Sequence, residues 1–352
     1  MTDPVAKLRG KKAAEAKALW LRIWIGFAAL VVLSFVGTGF YLLGPGPKAK
    51  EGASSFFVVE EGDTASTVAR RLKQEGLVRA ALGFRLAATL SGKADNLKVA
   101  EYEIPSSASP SQIARILASG EGVRRVIVLP EGWSMRQLYA RLEANRFLTG
   151  DLPPLVDEGT LNPDTYPIQR GDTRADVVKR MQAAHKALID ELWLKRAPDL
   201  PISTKQEAVI LASIVEKETG IAEERPRVAA VFVNRLRLGM KLQSDPTIIY
   251  GITKGAPLRR KIFKTDLENP HPWNTYVIQG LPPTPIANPG KDALAAVLNP
   301  PRTREIFFVA DGTGGHVFAE TYAEHNRNVQ RWRAWRAEQE KKQQNLLGGA
   351  RE

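Results

Sequence analysis

The sequence predicts an α+β protein: an N-terminal transmembrane helix, small repeated β-α modules, then a mixed α+β domain built round a buried helix. Three observations carry this. Residues 23–43 form an uncharged, apolar run. Short strand–turn–helix patterns recur in register between residues 55 and 182. A densely apolar helical stretch, residues 206–215, then leads into Glu216-Lys217-Glu218.

The apolar run comes first. At about 1.5 Å per residue it reaches roughly 30 Å, the thickness of a bilayer's hydrocarbon core. Trp20, Trp24 and Tyr41 stand near its ends, where amphipathic rings favour the interface. Lys7, Arg9, Lys11, Lys12, Lys17 and Arg22 precede it, against Asp3 and Glu15. The positive-inside rule then makes residues 1–22 a cytoplasmic tail and puts the rest outside. A cleaved signal peptide is the alternative, but its apolar region is shorter, about 7–15 residues, with a small-residue cleavage site behind it. Here Gly44-Pro45-Gly46-Pro47 follows, a stiff linker over residues 44–54. The expectation is an uncleaved single-pass anchor.

The modules follow. Phe56 to Val59 reads as a strand, Glu61-Gly62-Asp63-Thr64 as a turn, and Val68, Ala69 and Leu72 as one face of a helix. The same pattern returns with Glu131, Gly132 and Leu142, each 70 residues on from Glu61, Gly62 and Leu72. A second pattern repeats at an offset of 64: Tyr102, Ile104, Ile113 and Leu117 match Tyr166, Ile168, Val177 and Met181. Gly171-Asp172-Thr173 echoes the first turn. Asp63 or Thr64, and Asp172 or Thr173, can cap the helices that follow. A β-α unit with a Gly-Asp-Thr turn also resembles the LysM-type glycan-binding module; an ordinary structural unit is the other reading.

Residues 183–335 form the third region. Ala208 to Val215 are almost wholly apolar, so the helix is buried, and Gly220 is placed to stop it. Glu218 shares the stripe of Leu211, Ile214 and Val215, whereas Glu216 lies beside Val209, Ala212 and Ser213. Apolar surroundings and the negative helix end both raise a carboxyl pKa, as a general acid near neutral pH requires. Residue physics alone leaves open that both glutamates are solvated end charges. Beyond them, Glu223 to Pro226 opens another helix. Gln243-Ser244-Asp245-Pro246-Thr247, Asn274-Thr275-Tyr276 and Gly280-Leu281-Pro282-Pro283 then form stiff polar loops. Such loops suit a groove with fixed hydrogen-bonding walls, and Trp273 and Tyr276 offer faces for sugars. From Asn328 to Gln344 a terminal helix presents Val329, Trp332 and Trp335, and the stretch 336–352 is a charged tail that frays into a disordered end from Leu346.

Composition sets limits. The net charge of +12 suits nucleic acid, an anionic membrane or an anionic polymer. It is diffuse, and no nucleic-acid motif accompanies it, so nucleic acid is not expected as a partner. There are no cysteines, and the four histidines lack H-E-x-x-H spacing, so neither a thiol nucleophile nor a zinc site is expected.

At these motifs the chain resembles the endolytic murein transglycosylases, the MltG or YceG-like family. The resemblance rests on residues 211–219, 231–236, 242–247, 274–276, 280–283, 308–316 and His325-Asn326. The 158–166 stretch also fits, though Leu161-Asn162 stands where aromatic residues are usual. It implies a lyase with Glu218 as its one catalytic acid, acting on nascent peptidoglycan strands without metal or other cofactor. It implies an extracytoplasmic body on the bacterial inner membrane, a role in terminating strand elongation, and penicillin-binding synthases as partners. Gln243, Ser244, Asp245, Asn274, Tyr276 and His316 become candidate substrate contacts; loop-capping is the alternative for each of the first five, and a turn residue for His316. Glu216 is expected to support rather than react. A non-catalytic glycan-binding scaffold is the competing function.

Overall fold

The computed structural model describes residues 4–49, 52–169 and 171–348, with side chains from residue 20 to residue 343 within them. The side chains of Lys7, Arg9, Lys11, Lys12 and Lys17, on which the expected orientation rests, lie outside the described residues, as do residues 349–352. The chain divides into two compact units, Met1–Arg124 and Arg125–Glu352. The two copies of the repeated pattern therefore fall in different units.

The first unit opens with α1 (Pro4–Leu43), a continuous helix. Its segment Trp20–Leu43 is long and apolar enough to cross a membrane, and its most apolar stretch is exposed; only the last turn, at Leu42, is buried by the rest of the unit. The linker behind it is tied down. Gly46 N–H donates to the Ser107 carbonyl, and Ser107 N–H donates back to the Pro47 carbonyl. Then come β1 (Ser54–Val59), α2 (Ala65–Gln74), α3 (Ala81–Leu90), β2 (Ala100–Pro105) and α4 (Pro110–Ser119). β1 and β2 pair antiparallel, with Phe57 opposite Tyr102. Alternation sends Phe57, Val59, Tyr102 and Ile104 into one core with Val68, Leu72, Phe84, Ile113 and Leu117.

The second unit begins with the same plan: β3 (Arg125–Val128), α5 (Met135–Glu143), β4 (Thr165–Ile168) and α6 (Arg174–Leu194). β3 and β4 pair antiparallel, with Ile127 opposite Tyr166. The repeat extends to single hydrogen bonds. Tyr102 donates its hydroxyl to the Lys98 carbonyl and Tyr166 donates to that of Asn162, both at 2.8 Å. Thr64 and Ser134 close capping boxes on α2 and α5, and Thr173 caps α6. The aspartates before the threonines are not the caps. Asp63 instead binds Arg71 and Asp172 binds Arg180, and each arginine also donates to a strand carbonyl, Val58 or Pro167.

The remainder is α7 (Lys205–Glu218), α8 (Arg225–Arg237), α9 (Asp245–Thr253), α10 (Lys264–Glu268), α11 (Lys291–Leu298), the hairpin β5 (Phe307–Ala310) and β6 (His316–Ala319), and α12 (Tyr322–Gly348). α7 packs against α8 and α11 in the largest core of the molecule. Every residue from Ala208 to Val215 is buried, so no face of its middle meets water. α12 runs on to Gly348, two residues past the Leu346 at which disorder is expected. A run of charged residues at helical spacing, with Arg336–Glu340 and Lys342–Glu338 pairs one turn apart, sustains it.

Candidate functional site: a carboxyl at the end of a buried helix

Thr204 starts α7 by accepting from Glu207 N–H, while Glu207 reaches back to the Thr204 and Ser203 amides. The far end stops differently from the sequence expectation. Thr219 adopts an extended conformation and ends the helix. Gly220 has no left-handed backbone. The Thr219 hydroxyl then accepts from Ile221 N–H, which holds the exit turn.

The two glutamates of the last turn are distinguished by their company more than by their faces. The Glu216 side chain is 6% exposed, deeper than the helix-face reading implies. It accepts from Gly290 N–H at 3.0 Å and faces the Arg225 guanidinium at 3.7 Å. A buried carboxylate beside a buried cation and an amide is a structural ion pair. Glu218 has no such cation in contact. Its direct partner is the Ser244 hydroxyl, which donates to Oε1 at 2.5 Å. Burial pushes its pKa up to about 7, against a downward pull from Ser244; Asp245 pushes it up further, and His316 and Arg235 draw it down. Burial dominates because one hydroxyl cannot replace the water shell of a carboxylate.

Ser244 deserts a local duty to reach Glu218. It is the residue before α9, where a serine normally caps the free amides, yet its side chain makes no cap bond. The Gln243–Thr247 loop is held by other means. Gln243 sits at φ +53, and its N–H donates to the Thr275 carbonyl. Ser244 N–H donates to Thr275 Oγ1, and the Thr247 and Thr275 hydroxyls meet at 2.9 Å. Asp245 accepts the Tyr276 hydroxyl at 2.7 Å. Burial, then that bond to Asp245, raise the Tyr276 pKa, with Glu218 adding to the rise.

Ser244, Asp245 and Tyr276 thus gather round Glu218. Asn274 does not join them. It is fully buried, donates to the Asp266, Leu267 and Asn269 carbonyls, and accepts from Tyr276 N–H. It organises the loop that presents Tyr276. Gln243 turns its side-chain oxygen toward Arg235. His316 enters from β6: its Nδ1 and its backbone N–H both engage the Glu224 carboxylate at 2.8 Å. That clamp fixes the ring beside Phe308.

Sequence reasoning missed two members of this neighbourhood, Arg235 and Glu224, and a second desolvated carboxyl elsewhere, Glu158. Arg235, buried on α8, donates to the Ile306 and Leu242 carbonyls and places its cation in the field of Glu218. Glu224 anchors His316. Glu158 is a second carboxyl with a pKa near 7, raised by burial and drawn back by its bonds to Met135 N–H and Tyr250. It borders a recess of about 470 Å³ with Tyr250, Lys254 and Trp273. Only the polar residues of the 158–166 stretch hint at it in the sequence.

Fold and site define a buried helix that delivers one desolvated carboxylic acid to a pair of hydroxyl-rich loops. The chain belongs to the YceG-like family, whose model matches residues 57–331. It is 28% identical over 306 residues to an endolytic murein transglycosylase of Bacillus subtilis (strain 168), covering 78% of this chain and 83% of that protein. An endolytic murein transglycosylase of Streptococcus pneumoniae serotype 2 (strain D39 / NCTC 7466) is 27% identical over 319 residues, covering 77% of this chain and 57% of that longer relative. Among solved structures, a yceG-like protein of Listeria monocytogenes aligns with a TM-score of 0.48 at 25% identity, covering 79% of this chain and 99% of that one.

Proposed function

We propose that this protein is an endolytic lytic transglycosylase of peptidoglycan, with Glu218 as general acid and then general base. The observation that carries the reading is the Glu218 carboxyl, buried at the end of α7 with one oxygen fixed by Ser244, burial pushing its pKa up to about 7. The names of its relatives supply the substrate class. Ser244 donates to Oε1, which leaves Oε2 to carry the proton. Glu218 gives that proton to the glycosidic oxygen between N-acetylmuramic acid and N-acetylglucosamine, and the bond from muramyl C1 to that oxygen breaks. The muramyl C6 hydroxyl oxygen bonds to C1, and its proton passes to Glu218. The acid is restored, the product carries a 1,6-anhydromuramyl end, and no water is consumed. The nucleophile belongs to the substrate, so the usual second carboxylate of a glycosidase has no task here.

Asp245, Tyr276 and His316 are the residues proposed to meet sugar hydroxyl and N-acetyl groups, with Gln243 and Asn274 shaping the loops behind them. The β-α modules of residues 55–182 are proposed as LysM-like glycan contacts, and residues 183–335 as the catalytic region. The span Trp20–Leu43 is read as a single-pass anchor in the bacterial inner membrane, N-terminus in the cytoplasm. An enzyme so tethered cuts strands as they emerge, which suits terminating their elongation beside the penicillin-binding synthases that make them.

The test is digestion of purified glycan strands by the full chain. Glu218→Gln keeps the shape of the site and removes the proton. A general acid contributes about a hundredfold to ten-thousandfold, and a loss of that size with an intact unfolding transition is expected. A Glu218→Gln variant cutting at the native rate would overturn the assignment.

A further inference from the structure

We propose that α3 is a membrane-surface helix, whose leucines Leu82, Leu86 and Leu90 sit in the lipid headgroup and upper acyl layer beside the end of α1. The proposal rests on the reading of Trp20–Leu43 as a membrane span.

α3 is apolar but only ten residues long, too short to cross a bilayer. A surface helix of a globular protein has one apolar face, turned to the core. α3 has two. Phe84, Ala87 and Ala88 are buried in the core of the first unit. Leu82, Leu86 and Leu90 are 62%, 40% and 73% exposed. Spaced at i, i+4 and i+8, they form a single stripe about 12 Å long.

The order of residues around the helix says what the stripe meets. At about 100° per residue, the core face gives way to Gly83, then to the stripe, then to Thr89 and Arg85. Gly83 is where the anchor touches: a Cβ there would lie 2.2 Å from Tyr41 Cε1, so only glycine admits the ring. Tyr41 belongs to the last turn of the apolar span. The leucine stripe therefore borders the contact by which the anchor is seated, at the level where α1 leaves the bilayer. A recess of about 330 Å³ lies at the same junction, bounded by Phe40 and Tyr41 of α1 and by Leu77, Val78 and Pro110. Arg79 and Arg85, both exposed, flank the stripe and suit anionic headgroups. The linker cannot swing this surface away, because Gly46 and Pro47 are hydrogen-bonded to Ser107.

The repeated module supplies a control. Between α5 and β4, the second copy has no helix where α3 stands in the first. The element that the shared plan does not require is the one with a second apolar face, and it occurs in the copy attached to the anchor.

The chain has no cysteine, so single substitutions carry a single label. Leu82→Cys, Leu86→Cys and Leu90→Cys, each bearing an environment-sensitive fluorophore, are placed in the full chain in phosphatidylethanolamine–phosphatidylglycerol vesicles containing bromine-labelled acyl chains. Leu33→Cys reports the span, and Glu61→Cys an exposed turn of the same unit. Quenching at the three stripe positions should exceed that at position 61 by about threefold. Quenching at position 33 with none at the stripe overturns the proposal and leaves the anchor standing. A blue-shifted but unquenched stripe also overturns it, because a protein partner would then be the occupant. No quenching at position 33 removes the anchor and this proposal together.

Discussion

The two β-α modules share their strands, capping boxes, tyrosine bonds and a left-handed glycine after the first strand, yet they use that glycine differently. Gly62 is exposed, and nothing lies within 4 Å of where its side chain would be. Gly132, at nearly the same φ, is buried. Its N–H donates to the Asn288 carbonyl, its carbonyl accepts from Lys217 Nζ, and a Cβ there would lie 3.4 Å from Glu216. One copy keeps its turn free. The other is fastened to the last turn of α7, which bears Glu218. A duplicated unit has become, in one copy, part of the frame that holds the acid still.

Substituting the two glycines tests that contrast most strongly. Gly62→Val and Gly132→Val carry similar backbone strain, about 1 kcal/mol, because both positions have positive φ. Only Gly132→Val also presses on Glu216 and displaces the α7 terminus. A displacement of about 1 Å can cost up to a hundredfold, so kcat on glycan strands should fall by about tenfold to a hundredfold in Gly132→Val and stay near native in Gly62→Val. Equal losses would break the comparison.

The next effect is on stability. The Glu218 pKa rises from 4.5 in the free group to about 7 in the fold. Below pH 4.5 both states are protonated. Between 4.5 and 7 the folded chain holds the extra proton, so stability falls as pH rises, and it levels off above 7. Glu218→Gln removes that deficit. Denaturant melts should show it about 3 kcal/mol more stable than the native chain at pH 8 and no different at pH 4.

Smaller again is the effect of Ser244→Ala. The hydroxyl favours the ionised carboxyl, so its loss raises the Glu218 pKa further. The alkaline limb of the pH–rate profile should move up by about one unit. The smallest effect tests the likeness of the modules. Tyr102→Phe and Tyr166→Phe each delete the same buried bond, and each should cost about 1 kcal/mol in thermal or denaturant unfolding.

What could be read from the sequence was local or periodic. The repeat was legible because alternation, capping residues and the 70-residue offset all recur within short windows. The buried helix was legible because eight successive buried residues leave no polar face. The environment of its glutamates was not. Arg225 meets Glu216 and Arg235 meets Leu242 across the turns that follow α7 and α8, while Glu224 meets His316 and Arg235 meets Ile306 from segments 92 and 71 residues apart. No spacing announces such pairs. Asn274 was ambiguous for a related reason: an asparagine serves a loop or a ligand equally well until its carbonyl partners are known. Gly220 misled because a glycine after a helix is usually its stop, whereas here Thr219 is extended first.

Cleavage by a single acid without water can be read from the products of glycan strands digested in heavy-oxygen water. The expected products are new muramyl ends lighter by one water than reducing ends, with no heavy oxygen in them. Reducing muramyl ends carrying the label would instead make the protein a hydrolase.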